Sequence, residues 1–385
     1  FSAFVVGLAV MTKGPTAFGL VTICAAAYFV ISYKKHQWRI LDFITYTLIV
    51  FATGFSWFLL EILRGHGYVV QAAIDYHIRL FSSSEAGHGQ PFFYHPLVLL
   101  FGCFPMSLFF LFSFGKKLET DNQVSHYKKW MTILFWVVLI VFSIVKTKII
   151  HYSSLTYFPM SFIATLFIFQ MQENKLEFKK WHQIVLVVFT ALFAIAFFVA
   201  GTLNLFQEQL LMLMKENTLA YGNFSQTIED SWFDPLFGLF FLVGASFSIY
   251  HINKSEKGII GLFATTLISV SVLSATIAPK IDRYTQKPLF DFYKEHADSS
   301  YLKPIAFHSY AHLFYGKRTP LPDQTNDELK WMVYEKVDKP VYFIAKAENV
   351  ERTLGYFPHL EITDHKGGYV ILERTDRNYP FLGSR

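Results

Sequence analysis

Long apolar stretches separated by short polar ones fill the first three quarters of this chain. Stretches of membrane-spanning length lie at about 14–32, 41–60, 92–114, 130–145, 152–171, 183–206, 233–250 and 258–278. Each has roughly 16–24 residues, against the ~20 that a helix needs to cross the hydrocarbon of a bilayer. Residues 1–12 are also apolar and read as the end of a further helix. From residue 279 onward charges become frequent and the apolar runs shorten. KPVYFIA (339–345), YVILER (369–374) and KPIAFHS (303–309) have the short, β-branched and aromatic make-up of strands. TNDELKWMVYEKV (325–337) has a capped helical pattern, and 287–297 predicts another helix. The pattern therefore predicts an α-helical polytopic membrane protein over 1–278, followed by an extracytoplasmic α/β domain over 279–385.

Composition supports the membrane reading. The 385 residues are 53% hydrophobic and 18% aromatic but only 16% charged, where a soluble domain has about 25% charge. The net charge of +5 comes from lysines and arginines spread over short loops, so nucleic acid is not an expected partner. Cys24 and Cys103 lie inside apolar runs and read as small hydrophobic residues. No GxGxxG, Walker lysine loop or metal-spaced Cys/His cluster occurs in the C-terminal part. No start methionine, basic leader or cleavage site precedes Phe1, and the chain is expected to be the C-terminal part of a longer protein.

Loop charge predicts the orientation. Loops 33–40, 115–129, 172–182 and 251–257 hold twelve Lys/Arg in 41 residues, whereas loops 61–91, 146–151 and 207–232 hold five in 63. The first group should be cytoplasmic. Loop 61–91, the turn at 146–151, loop 207–232 and everything after 279 then lie on the far side.

Charges near membrane depth are costly and point to function, and several collect at that far boundary. Lys13 stands in MTKGPT (11–16), where Gly14-Pro15 breaks the helix. It is either a lysine snorkelling at a helix end or a cation facing an anionic lipid head group. In YHIRLFSSSEAGHGQPFFYHP (76–96), Glu85 and His88 are spaced i,i+3, and His77 is near. A solvated loop accounts for them, and so does a divalent metal site. Phe92, Phe93 and Tyr94 have the make-up of an interfacial aromatic belt. KTKIIHYSS (146–154) sets Lys146, Lys148, His151 and Tyr152 between two helices on the side where lysines are disfavoured. A phosphate bound there explains them, and ordinary anchoring is the alternative. Asp42 and Asp234 read as helix-end carboxylates, while His308, Tyr310 and His312 read as fold or surface residues.

Three blocks, GLAVMTKGP (7–15), SSSEAGHGQPFFYHPLVLLFGCFPMS (82–107) and VKTKIIHYSSLTYFP (145–159), occur in order. Together they resemble the polyprenyl-phosphate-dependent glycosyltransferases of GT-C fold, the aminoarabinose transferase of lipid A and the related protein mannosyltransferases. The resemblance covers about residues 1–170. It implies inverting transfer of a sugar from a polyprenyl-phosphate carrier to a lipid, glycan or protein acceptor at the non-cytoplasmic face of a bacterial inner membrane. It also implies roles for single residues. Lys13, Lys146, Lys148 and Tyr152 match positions near the donor phosphate, while Glu85, His88 and Tyr94 belong to the cavity loop. Glu85 and His88 are the candidates for a metal. The catalytic aspartate of that family falls upstream of Phe1, so the general base is unassigned. Two positions depart from the aminoarabinose-transferase pattern: His95 stands where a further aromatic is common, and Met106 where tryptophan is common. The rival reading is a membrane transporter or flippase for a lipid-linked or anionic substrate. That reading expects ionisable groups near the midplane of repeated, broken helices. Here the candidates gather at one interface, and the sequence shows no repeat.

Overall fold

A computed structural model describes residues 1–32, 39–82, 89–226, 233–317 and 327–375. Its backbone divides into two compact units, 1–186 with 251–258 and 187–250 with 259–385. The first unit is helical. It holds α1 (Ser2–Lys13), α2 (Thr16–Ser32), α3 (Ile40–Gly54), α4 (Ser56–Leu63), α5 (Gly67–Ser82), α6 (Tyr94–Gly102), α7 (Met106–Phe112), α8 (Asn122–Ile144) and α9 (Tyr157–Gln172). A 3₁₀ turn, Ile150–Thr156, leads into α9. The chain then enters α10 (Lys180–Gly201), which continues into the second unit. There follow α11 (Gln207–Leu213), α12 (Thr218–Phe224), α13 (Leu236–His251), α14 (Glu256–Thr285) and α15 (Lys287–Glu295). The chain closes with β1 (Tyr301–Pro304), α16 (Ala311–Tyr315), α17 (Asp327–Tyr334), β2 (Val341–Lys346), α18 (Val350–Tyr356), β3 (Leu360–Lys366) and β4 (Tyr369–Arg374).

Each of the eight apolar stretches forms helix, though not always one straight rod. Among the described residues four helices are long and apolar enough to cross a bilayer, or six if each bent pair is one span. The α3–α4 pair bends by 50° and the α6–α7 pair by 110°. The sharper bend falls at Phe104-Pro105, where proline has no N–H to continue the helical ladder. The 17 residues of α2 and the 16 of α13 would span about 24–26 Å of a ~30 Å hydrocarbon layer. Apolar side chains such as Val30, Leu48, Leu63, Ile184 and Leu267 are more than 60% exposed. Such surface suits lipid and not water. The chain is an integral membrane protein.

The contacts of the first unit define two ends. The start of α6 meets the 3₁₀ turn before α9, with His95 Nδ1 3.1 Å from Ser153 Oγ. The far end of α9 meets the loop after α7, where Gln170 Nε2 donates to Glu119 O at 2.6 Å and Glu119 N donates to Gln170 Oε1 at 3.2 Å. The bent α6–α7 pair therefore carries the chain from one end of α9 to the other. Helix α8 then returns it. Near its start His126 Nδ1 lies 3.1 Å from the Tyr28 hydroxyl, and Trp130 stacks on Tyr28 at 4.2 Å. Tyr28 is close to the end of α2, so α2 begins at the His95–Ser153 end. Lys13, three residues before the start of α2, belongs to that end as well.

In the second unit, Gly238 of α13 lies against the Ala194 carbonyl and the Phe198 backbone of α10, and Phe197 meets Phe241 at 5.1 Å. Asp234 is 2% exposed, and its carboxylate pairs with Lys280 of α14. The four-stranded sheet has the order β1-β2-β4-β3, with β1–β2 parallel and the other two pairs antiparallel. Alternation along β2 buries both faces. Val341, Phe343 and Ala345 pack with Met332 and Val333 of α17, while Ile344 packs with Leu289, Phe292 and Tyr293 of α15. The expected strands at 339–345 and 369–374 and the expected helices correspond to β2, β4, α15 and α17. The expected strand at 303–309 is β1, two residues earlier and shorter. Sequence reading missed β3, whose LEITDHK has only two aliphatic residues and lies at the sheet edge. At the β3–β4 turn, Gly368 N donates to Asn223 Oδ1 of α12 at 2.8 Å.

Candidate active site

Helix α5 organises the end where Lys13 lies, although the sequence reading had 61–91 as loop. Its apolar residues Val69, Val70, Ala73, Ile74 and Ile78 fall three to four apart, a helical period diluted by Asp75, His77 and Arg79. The α1 helix stops at Lys13 because Gly14 takes φ +71° and Pro15 follows. Gly14 is needed for a second reason: a Cβ there would come within 2.6 Å of His77 Nε2. His77 Nδ1–H donates to Ala73 O at 2.7 Å. In the neutral imidazole that bond leaves the lone pair on Nε2, the atom facing Gly14. One turn further along α5, Leu80 O accepts the Thr147 N–H at 3.3 Å. The TKGP block and the KTK turn thus both contact the last two turns of α5.

Two of the sequence-assigned lysines are exposed and one is buried. Lys13 and Lys146 have open side chains. Lys148 is 5% exposed, and its Nζ donates to Val145 O at 2.7 Å. Among the described residues no carboxylate forms an ion pair with it. Tyr152 is half-buried in the 3₁₀ turn, its ring 5.4 Å from that of Phe142. Phe142 in turn meets His95 at 6.3 Å, and His95 meets Tyr94 at 5.2 Å. Tyr94, Lys148 and Tyr152 are therefore brought into one region, while Phe92 and Phe93 are exposed beside it. Glu85 and His88, with the metal pairing assigned to them, lie outside the described residues. Among the described residues no group of three or more His, Cys, Asp or Glu is placed to hold a metal ion.

Sequence reasoning marked His95 only as a departure from the family pattern and passed over Ser153. Both are fully buried, and they tie the aromatic run at 92–94 to the KTK turn. Among the described residues His95 Nε2 has no hydrogen-bond partner. The available signal was periodic: His95 and Leu99 stand i,i+4 on the buried face of α6.

No known family profile matches the chain. Two uncharacterized proteins of Aquifex aeolicus (strain VF5) are similar to it. One is 29% identical over 166 residues, covering 42% of this chain and 36% of the relative. The other is 27% identical over 171 residues, covering 44% and 33%. The chain thus matches about a third of the length of these curated relatives. Among solved structures, ArnT from Cupriavidus metallidurans bound to undecaprenyl phosphate aligns with a TM-score of 0.64 at 13% identity, over 98% of this chain and 69% of that one. Its apo state aligns at 0.61 and 13% identity, over 97% and 67%. At this identity the likeness is one of fold: a GT-C-type helical membrane region with a small C-terminal sheet.

Proposed function

We propose that the chain belongs to a polyprenyl-phosphate-dependent glycosyltransferase working at the non-cytoplasmic face of a bacterial inner membrane. The observation that carries this reading is Lys148. Among the described residues a backbone carbonyl is the one hydrogen-bond partner of this buried cation; such burial is costly in an apolar setting, and an anionic lipid head group would supply the missing charge. Two further features support the reading: the convergence of the TKGP and KTK blocks on α5, and the fold shared with a protein whose structure holds undecaprenyl phosphate.

In the proposed reaction an acceptor hydroxyl attacks the anomeric carbon of the donor sugar. The C–O bond to the lipid phosphate breaks with inversion, and the phosphate leaves with the bonding pair. Lys13, Lys146 and Lys148 stabilise the charge that grows on that leaving group, and the Tyr152 hydroxyl donates to it. A general base takes the hydroxyl proton as the new bond forms.

The test uses the full-length protein in nanodiscs with a synthetic polyprenyl-phosphate sugar. Lys13→Ala and Lys148→Ala are each expected to lower turnover by about 10²–10³-fold, the usual loss for one preorganised contact to developing charge. Membrane insertion should be unchanged. Normal turnover in both variants overturns the proposal.

A further inference from the structure

The sheet of the second unit carries a cavity that the transferase reading leaves unused. It has a volume of about 210 Å³ and lies where β1 begins, with Asp298, Ser300, Tyr301, His312, Lys317 and Lys339 in its wall. The sequence gives no hint of it, because these residues come from three separate segments.

Each lysine is set in place by local geometry. Helix α16 ends at Gly316, where any side chain would come within 2.3 Å of the His312 carbonyl. Lys317 then takes φ +50°, a left-handed conformation that only a few per cent of non-glycine residues adopt. Lys339 approaches from the start of β2. Its Nζ donates to Asp298 O at 3.0 Å, which leaves two of its three donors. Among the described residues neither lysine forms an ion pair. Two other polar groups in the wall are already engaged. The Tyr301 hydroxyl donates to Asp338 Oδ1 at 2.9 Å, and Ser300 Oγ donates to His296 O at 2.9 Å. The wall therefore offers two ammonium groups, the exposed Lys317 and the half-buried Lys339, against one carboxylate, Asp298, which is exposed. Positive charge on a concave wall concentrates anions.

We propose that this cavity is an anion site for a phosphate-type group, either inorganic phosphate or a phosphomonoester. At ~30 Å³ per water it has room for about seven waters. That suits a phosphate with a short substituent and is too small for a whole glycolipid head group. The site stands on its own residues and does not depend on the transferase reading.

The first arm is equilibrium dialysis of the full chain in detergent against radiolabelled inorganic phosphate. Saturable binding is expected, about tenfold weaker in Lys317→Gly and in Lys339→Ala, which is the loss of one charge-assisted hydrogen bond. Lys366→Ala on the opposite edge strand should bind as the parent does. Lys317→Gly relieves the left-handed backbone, so its melting temperature should not fall. The second arm places the chain in nanodiscs of phosphatidylcholine with or without phosphatidic acid and measures acetylation of Lys317 and Lys339. Protection by phosphatidic acid without binding of free phosphate supports the site and identifies a lipid phosphomonoester as its source. Binding that ignores both substitutions, or no binding and no protection in either arm, overturns it.

Discussion

Gly14 shows how much one residue can decide. Its positive φ ends α1, and its bare α-carbon lets the imidazole of His77 pack against it. Gly14→Ala should therefore fail twice, through backbone strain and through collision with Nε2. We expect it to lower the melting temperature and the turnover together. Gly14→Ala with His77→Ala should recover the part due to collision and leave the part due to strain, which thermal unfolding of the single and double variants resolves. The glycine and proline were legible as a helix breaker, but their partner was not. His77 is 63 positions away, and nothing in local sequence pairs it with residue 14. Lys148 is a similar case. Its chemistry was visible in KTK, whereas its burial against Val145 O, beside the buried pair of His95 and Ser153, comes from the packing of α6, α8 and the 3₁₀ turn.

Among the elements, those with strong periodicity were legible and those with mixed composition were not. The eight apolar stretches and the strands β2 and β4 follow from hydrophobic pattern alone, because burial on one or both sides imposes it. Helix α5 and strand β3 lie at boundaries where apolar and polar residues mix, and only their neighbours select their form. The sheet also carries a pH dependence. Burial, followed by the nearby Arg374 guanidinium, holds the His359 imidazole below its ordinary 6.5. Below about pH 6.5 the unfolded chain takes up a proton that the folded one resists, so stability is full above that pH and falls as the pH drops below it. The unfolding midpoint of the C-terminal sheet, followed by tryptophan fluorescence from Trp331, should fall on acidification through this window. His359→Gln should flatten the dependence, and an equal slope in the variant would place its origin elsewhere.

Across the whole molecule, the loop charges and the contacts of the first unit agree. The charge count places 61–91 and 146–151 on one side and 115–129 and 172–182 on the other. The structure joins Leu80 to Thr147 at one end of the first unit and Glu119 to Gln170 at the other. That agreement survives the 110° bend of α6–α7, because the chain still travels from one end to the other. With Cys24 and Cys103 replaced by alanine, Gln90→Cys should react with a membrane-impermeant maleimide on the outside of intact cells. Gln123→Cys should react only after permeabilisation. Equal labelling of both before permeabilisation would remove the orientation on which the proposed transfer reaction depends.

The sequence by itself determined that this chain crosses a membrane, that a strand-and-helix domain follows the crossings, and which lysines stand out of place on the less basic side. Those properties are set by transfer from water to hydrocarbon and by backbone period, and each acts over a span of about twenty residues or fewer. Only the tertiary structure decided that TKGP and KTK meet the same helix, that Lys148 is buried while Lys13 and Lys146 are open, and that three segments enclose a cation-lined cavity. Contacts between residues far apart in sequence depend on how helices and strands pack around bends and special backbone angles, and a linear pattern carries no record of that packing.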